Sequence, residues 1–340
     1  MDLINSTDYL LSVSTLVRNS THLPDPASKT IIAILLFMSF TIGTIANGLY
    51  LWVLKFKMKK TVNTLLFFHL ILSYFISTLI LPFIATSSLQ DNHWSFGTTM
   101  CKIFNSVLST VMFASVFFLS AISVDRYLLT LHPVWSQLHR TPRWASSIIL
   151  GVWISAIALG LPYLVFRETH EDHKGTVTCR NNYAVSSNWE SKKIQTLRKW
   201  IHVAFFISRF LLGFLLPFSI ITFCYGRVAN KMKSRGLFKS NKPLKVIMAA
   251  IISFFVCWMP YHVYQGLILI GNQSSLLKLT AIFTVISTFF NTVFSPTLYL
   301  FIGENFKKVF KKSILALFES TFSEDSSAER TENLNSEAYI

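Results

Sequence analysis

The chain alternates between long apolar stretches and short segments that are polar and mostly basic. Six of the apolar stretches contain no Asp, Glu, Lys or Arg; they are Ile31–Leu54, Thr61–Gln90, Ile103–Val124, Trp144–Phe166, Val246–Leu277 and Leu279–Gly303. A further stretch, Trp200–Gly226, contains one charge, at Arg209. Each is longer than the roughly 20 residues that a helix needs to cross a hydrocarbon layer about 30 Å thick. The pattern therefore predicts seven membrane-spanning segments.

The predicted fold is an all-α membrane protein, a seven-transmembrane-helix bundle. An unpaired backbone group is costly in lipid, and only helices and closed barrels pair every backbone group. The chain lacks the alternating segments of about ten residues that indicate barrel strands. We therefore expect an N-terminal segment over residues 1–29 and the helical bundle over residues 30–303.

Two further segments follow the seventh span. Over residues 304–318, apolar positions recur at helical spacing opposite four lysines, which predicts an amphipathic cytoplasmic helix on the membrane surface. The apolar positions are Phe306, Val309, Phe310, Ile314 and Leu317, and the lysines are Lys307, Lys308, Lys311 and Lys312. Residues 319–340 are rich in Ser, Glu and Asn without an apolar period, so we expect a disordered cytoplasmic tail.

Every odd-numbered span is followed by a basic segment. The basic residues are Lys55, Lys57, Lys59 and Lys60 after the first, Arg140 and Arg143 after the third, Arg227, Lys231, Lys233, Arg235, Lys239, Lys242 and Lys245 after the fifth, and the four lysines named above after the seventh. The positive-inside rule places these segments in the cytoplasm and the N-terminus outside. Three N-x-S/T sequons, at Asn5, Asn19 and Asn272, fall on the predicted outer side and are expected to be glycosylated.

Composition supports a membrane protein and excludes other classes. Apolar residues make up 52% of the chain and charged residues only 14%, so the main partner is the lipid bilayer. The net charge of +15 would suit nucleic acid if the basic residues shared one folded face, but they lie between the spans, so no nucleic-acid partner is expected. We expect no enzymatic activity, no cofactor and no metal site.

Two of the four cysteines, Cys101 and Cys179, lie beside polar segments on the predicted outer side. That compartment is oxidising, which favours a Cys101–Cys179 disulfide; two free thiols are the alternative. Such a bridge would hold the external loop Arg167–Lys199, with its β-like run Thr176–Cys179, across the bundle as a lid. A loop that covers the external opening of a helical bundle indicates a ligand pocket beneath it.

Polar groups inside a span require a partner or a function. Arg209 is the only full charge in the outer half of any span, and an inward guanidinium would bind a ligand carboxylate. A side chain that extends toward the headgroups is the alternative. The triplet Asp125-Arg126-Tyr127 ends the third span, where Arg126 either faces inward or extends toward the headgroups. Trp258 lies two residues before Pro260, so pocket occupancy can be coupled to a helix kink.

The chain resembles a rhodopsin-like G-protein-coupled receptor along almost its whole length. The matching residues are Asn47, Trp94 within His93–Gly97, Cys101 and Cys179, Asp125–Tyr127, Trp153, Pro217 with Tyr225, Phe254 with Cys257–Pro260, and Ser295–Tyr299. Any one match is weak, but the ordered set is specific. Leu131–Thr141 is similar to the second cytoplasmic loop of formyl-peptide and related chemoattractant receptors, and Pro296–Phe306 to the end of their seventh helix.

The resemblance implies a plasma-membrane receptor for an extracellular ligand, a peptide or an anaphylatoxin-like molecule, that couples to an inhibitory-class heterotrimeric G protein. It implies a conformational switch formed by Asp125, Arg126, Tyr127, Tyr225, Phe254, Trp258, Pro260, Pro296 and Tyr299. Candidate sites for receptor kinases and arrestin recruitment are Ser320, Thr321, Ser323, Ser326 and Ser327; an ordinary solvated tail is the alternative.

The expected ligand site consists of Arg209, Trp258, Ser109 and Phe205. Arg209 matches an arginine that formyl-peptide receptors use against ligand. Ser109 and Phe205 stand where those receptors have an acidic residue and a second arginine, so the resemblance does not extend to formyl peptides as the ligand. Two other functions stay open, a non-signalling decoy or scavenger receptor and a seven-helix transporter.

The resemblance also yields a prediction about sodium. Most related receptors hold a sodium ion between an Asp in the second helix and an Asn or Asp in the seventh, and Tyr74 and Ser295 occupy these positions here. Neither side chain carries a negative charge at neutral pH. We expect agonist affinity to be unchanged when sodium replaces potassium in a binding titration. A fall in agonist affinity as sodium rises would contradict the prediction.

Overall fold

The structure, a computed structural model, describes residues 26–173, 175–186, 191–234, 242–270, 276–277, 279–280, 282–287, 291, 308–313 and 315. For residues 26–28, 242–251, 253 and 254 the description covers the backbone alone.

Helices make up most of the described chain and are accompanied by one β-hairpin. The helices are α1 (Pro26–Phe56), α2 (Val62–Leu89), α3 (Gly97–Leu131), α4 (Pro133–His139), α5 (Pro142–Gly160), α6 (Pro162–Phe166), α7 (Lys192–Phe210), α8 (Leu216–Ser234) and α9 (Lys242–Leu269). The strands are β1 (Arg167–Glu171) and β2 (Val177–Asn181). A π-helical turn, Leu211–Leu215, joins α7 to α8.

Five helical segments of the described chain are long and apolar enough to cross a membrane. They are Lys29–Phe56, Val62–Leu89, Gly97–Leu131, Pro142–Phe166 and Lys192–Ser234. These segments coincide with the first five predicted spans, and α9 coincides with most of the sixth. Most of the seventh predicted span lies outside the described residues.

The predicted start of the fifth span was wrong as a helix boundary. The apolar stretch begins at Trp200, whereas α7 begins at Lys192. Hydropathy marks the part of a helix that lipid covers, and a helix continues beyond lipid wherever its charged side chains reach water. The loop that begins at Arg167 is correspondingly shorter than predicted. In the fourth span, Pro162 separates α6 from α5 because it has no backbone N–H to continue the helix.

The central helix of the described bundle is α3, which packs against α2, α5, α6 and α8. Its buried Phe118 meets Trp153 of α5 at a ring distance of 5.9 Å. The Trp153 indole in turn donates a hydrogen bond from Nε1 to Nδ1 of His69 on α2, at 3.2 Å. Three helices are thus joined around one aromatic cluster, and the buried indole N–H has an acceptor.

The β-hairpin is fixed to the same end of the bundle as the first residues of α1 and α3. Cys101 of α3 and Cys179 of β2 form a disulfide with their Cα atoms 5.8 Å apart, which confirms the predicted pairing. The backbone N–H of Trp94 also donates to the carbonyl of Val177 at 2.7 Å, and Lys29 forms an ion pair with Asp91. This end is named the disulfide end, and the opposite end, which carries α4, is named the α4 end.

Helices α3 and α5 approach each other closely at Gly160. The Ser106 hydroxyl of α3 donates to the Gly160 carbonyl at 3.0 Å. A Cβ atom at Gly160 would collide with the Thr110 hydroxyl and lie 2.9 Å from the Ser106 carbonyl oxygen. The side chain of Thr110 can rotate, but the backbone of α3 cannot move without disturbing its other contacts. This crossing therefore requires glycine.

Gly160→Ala is expected to destabilise the bundle. The added methyl group forces α3 and α5 apart, and overpacking of this kind costs about 1–3 kcal/mol. The melting temperature of the purified protein in detergent should therefore fall. Gly151→Ala is the matched control on α5, because a Cβ there meets nothing within 4 Å and alanine favours a helix. Equal melting temperatures for the two variants would contradict the close approach.

Candidate functional site

Arg209 of α7 lies between tyrosines from two neighbouring helices. Its guanidinium donates a hydrogen bond to the hydroxyl of Tyr261 on α9. Its Cζ atom lies 5.0 Å from the ring centre of Tyr163 on α6 and 5.7 Å from that of Tyr261. Cation–π contact and one hydrogen bond thus hold a charge within a membrane-spanning segment. No described carboxylate forms an ion pair with Arg209.

A second arginine contacts the same tyrosine from the hairpin. The Cζ atom of Arg167, the first residue of β1, lies 5.8 Å from the ring centre of Tyr163. Arg167 is buried, and it donates to the carbonyl of Cys179 at 3.4 Å. Burial lowers the pKa of its guanidinium, while the nearby Tyr183 and Tyr261 act in the opposite direction. Two guanidiniums therefore contact the Tyr163 ring.

Phe205 and Trp258, both predicted ligand-site residues, extend this cluster in two directions. The Phe205 ring lies 6.2 Å from that of Tyr163 and 5.5 Å from that of Tyr183, near the hairpin. The buried Trp258 meets Tyr261 edge-on at 5.9 Å, two residues before Pro260 in α9. A continuous set of ring contacts therefore runs from the hairpin through Arg209 to the proline of α9.

Ser109 was also predicted in the ligand site. It is buried on α3, and its hydroxyl has no hydrogen-bond partner among the described residues. No described contact joins it to Arg209, Phe205 or Trp258. The structure therefore brings three of the four predicted residues together and leaves Ser109 on the neighbouring helix.

A polar network ties the hairpin to α7. Asn182 donates to Glu168 at 3.0 Å, and its side-chain oxygen accepts from Arg198 of α7 at 3.2 Å. Arg198 also donates to the carbonyl of Ser186. Burial lowers the pKa of the nearby Arg180, while Glu168 acts to raise it. The hairpin's Glu168 is thus engaged with arginines other than Arg209.

The predicted switch triplet lies at the α4 end. Asp125 is 1% exposed and forms an ion pair with Arg140, from the segment after α4, at 2.6 Å. Arg126 is half-buried, interacts electrostatically with Asp125 and Tyr225, and makes no side-chain hydrogen bond among the described residues. The Tyr127 ring lies 6.0 Å from that of Phe223 on α8. The pairing of Asp125 with Arg140 was not anticipated from the sequence.

The other predicted residues are either buried in the bundle or outside the described part of the chain. Tyr74, at the altered sodium position, is buried in the core between α2 and α3, and Tyr225 is buried on α8. The predicted residues outside the described part are Asn5, Asn19, Asn272, Ser295, Pro296, Tyr299, Ser320, Thr321, Ser323, Ser326, Ser327 and the side chain of Phe254. In the predicted amphipathic segment, residues 308–313 are helical and Phe310 packs on Tyr50 at 5.2 Å. The rest of that helix stays a prediction.

Sequence reasoning missed Tyr163, Tyr261, Arg167 and Arg140. The tyrosines give no distinct signal in the sequence because aromatic residues are frequent throughout the spans. Arg167 gives none because it stands at the boundary of a charge-free stretch, where a basic residue is ordinary. Arg140 was counted only as one of the basic residues of a cytoplasmic loop. Each becomes significant through a contact between segments that are distant in the chain.

Comparison with known proteins shows the family to which the chain belongs. Residues 46–299 match the family described as 7 transmembrane receptor (rhodopsin family). Probable G-protein coupled receptor 33 of Homo sapiens is 77% identical over 332 residues, which cover 98% of this chain and 100% of that protein. The protein of the same name from Mus musculus is 69% identical over 340 residues, with both chains covered in full. N-formyl peptide receptor 3 of Homo sapiens is 35% identical over 324 residues, covering 92% and 91% of the two chains. The resemblance inferred from the ordered motifs is confirmed.

Proposed function

The chain belongs to the rhodopsin family of seven-transmembrane receptors, and we propose that it is a chemoattractant-type receptor for an extracellular ligand with an anionic group, most simply a peptide carboxylate. The observation that carries the proposal is Arg209, a charge within a span that is held by two tyrosines and has no described carboxylate partner. The signal passes to an inhibitory-class heterotrimeric G protein. The disulfide end faces outward and the α4 end faces the cytoplasm.

A carboxylate suits this position better than another class of ligand. A guanidinium offers two parallel N–H donors that match the two oxygens of a carboxylate, and the pairing strengthens where water is excluded. Arg167 adds a second positive charge on the same tyrosine. An amine or another cation would meet repulsion from both arginines. A ligand with one anionic end and apolar surface for Phe205 and Trp258 fits the cluster.

Ligand binding changes the contact between α7 and α9. A carboxylate on Arg209 competes with the Tyr261 hydroxyl, and Tyr261 packs on Trp258 in the helix that contains Pro260. Proline removes a backbone hydrogen bond and leaves a kink about which the helix can bend. A ligand that prefers the bent arrangement shifts the population toward it. The resulting movement of α9 opens the α4 end, where Arg126 lies.

The α4 end offers an apolar contact for a partner protein. Val134 and Leu138 occupy neighbouring positions on one face of α4, and each is 71% exposed. Their helix lies at the edge of the bundle next to the switch triplet, where the proposed G protein binds. Receptor kinases and arrestin act on the serines and threonine of the tail in this proposal.

Arg209→Gln is expected to reduce agonist potency by roughly 30-fold or more, since truncating one member of a desolvated charge pair costs 2 kcal/mol or more. Synthetic chemoattractant peptides with free C-terminal carboxylates are tested in nucleotide exchange on a purified inhibitory-class G protein. The amidated form of an active peptide should lose potency on the unmodified receptor and lose nothing further on Arg209→Gln.

Lys199→Gln is the matched control, because Lys199 is an exposed cation on the same helix. It should leave potency unchanged. An agonist that acts equally well on Arg209→Gln would contradict the assignment of Arg209 as the ligand anchor.

Val134→Ser is expected to slow agonist-driven nucleotide exchange roughly tenfold, because the variant loses the burial of an apolar side chain worth about 1.5 kcal/mol. Agonist binding in the absence of G protein should not change. Gln137→Ala, an exposed change on the same helix, serves as the control.

Full exchange with Val134→Ser would contradict the proposed contact. A receptor that binds agonist but never drives exchange would be a decoy. Agonist-dependent uptake of solute into vesicles would instead support a transporter.

A further inference from the structure

The Asp125 carboxylate is fully engaged by a residue outside the switch triplet. Its Oδ1 atom accepts from Nε of Arg140 at 2.6 Å, and its Oδ2 atom accepts from Nη2 of the same guanidinium at 3.0 Å. Both oxygens therefore face one planar cation, which is the strongest geometry for such a pair. Arg140 Nη2 also donates to the side chain of Asn63 at 2.8 Å. One guanidinium thus joins the loop after α4 to α2 and α3.

Arg126 is the neighbouring cation that could otherwise pair with Asp125. The two residues are adjacent on α3 and interact electrostatically, but no hydrogen bond joins them. Nε of Arg126 is buried and has no hydrogen-bond partner among the described residues. A carboxylate that already accepts two hydrogen bonds from Arg140 attracts a second guanidinium less strongly. Arg140 and Arg126 therefore compete for Asp125.

We propose that Arg140 is a positioning residue that occupies Asp125 and so leaves Arg126 available to the G protein before any ligand binds. The inference rests on the proposed coupling and adds a basal activity to it. Replacing Arg140 releases the Asp125 carboxylate to Arg126, which draws Arg126 away from its partner. The basal rate of nucleotide exchange on the G protein then falls. Removal of the Asp125 carboxylate itself, in contrast, leaves Arg126 available.

The position of Arg140 in the chain gives it a second effect. Arg140 follows α4 directly, and the next residue, Thr141, caps α5 by accepting a hydrogen bond from the N–H of Trp144 at 3.2 Å. The ion pair therefore fixes the segment between two helices.

The test is a double-mutant cycle on the full-length receptor in lipid nanodiscs, without ligand, using nucleotide exchange on a purified inhibitory-class G protein. Arg140→Gln should lower basal exchange about fivefold or more, the lower end of typical coupling between sites. Asp125→Asn should keep exchange at or above the unmodified level. The double variant should match Asp125→Asn, because Arg126 then has no carboxylate to pair with.

Arg143→Gln removes an exposed cation nearby that has no described ion pair, and it should leave exchange unchanged. If Arg140→Gln exchanges as fast as the unmodified receptor, or if the double variant is as slow as Arg140→Gln, the competition for Asp125 is refuted. A merely structural role for Arg140 predicts the second of these results.

Thermal unfolding of the same four proteins separates this inference from the proposed function. The stability losses of Arg140→Gln and Asp125→Asn should not add in the double variant, because both changes remove one interaction. Additive losses would refute the ion pair itself. If no variant drives exchange although the losses are non-additive, the proposed coupling fails, and the role assigned to Arg126 fails with it.

Discussion

The cost of leaving a polar group unpaired away from water determines much of this structure. Lipid supplies no hydrogen-bond partner, so a buried donor or charge avoids this cost where it finds a partner within the protein. The Trp153 indole meets His69, the Ser106 hydroxyl meets the Gly160 carbonyl, and Asp125 meets Arg140. Each of these contacts joins different helices or a helix to a loop. In this bundle, the contacts that pair buried polar groups therefore also fix the relative positions of the helices.

The disulfide end shows how one helix organises both the fold and the candidate site. α3 carries Cys101, which holds the hairpin, and it accepts the close approach of α5 at Gly160. β1 begins directly after α6 ends, so Arg167 lies four positions after Tyr163 and contacts its ring. α7 brings Arg209 to the same ring. The cluster that the proposed ligand contacts thus forms where α7 meets the α6–β1 segment, which packs on α3.

The sequence predicted the first five spans well because hydropathy reports directly on the burial of apolar surface in lipid. It predicted the start of α7 poorly because a helix does not stop where lipid stops. Arg209 and the Cys101–Cys179 pair stood out because charges within spans and cysteines beside polar loops are rare. Tyr163, Tyr261 and Arg140 did not stand out, because their residue types are common where they occur. Their importance comes from contacts such as that between Arg209 and Tyr261, which are 52 positions apart.

The two polar contacts most relevant to signalling lie on different elements. Arg209 and Tyr261 join α7 to α9 at the ligand cluster, whereas Arg140 and Asp125 join the α4 segment to α3 at the other end. In the proposed mechanism a ligand therefore acts first on α9, and the resting state of Arg126 is set separately through α3. Coupling between the sites then requires only that movement of α9 changes what Arg126 can reach. The two contacts share no side chain. Basal activity and the response to ligand can therefore be changed separately, by substitutions at different residues.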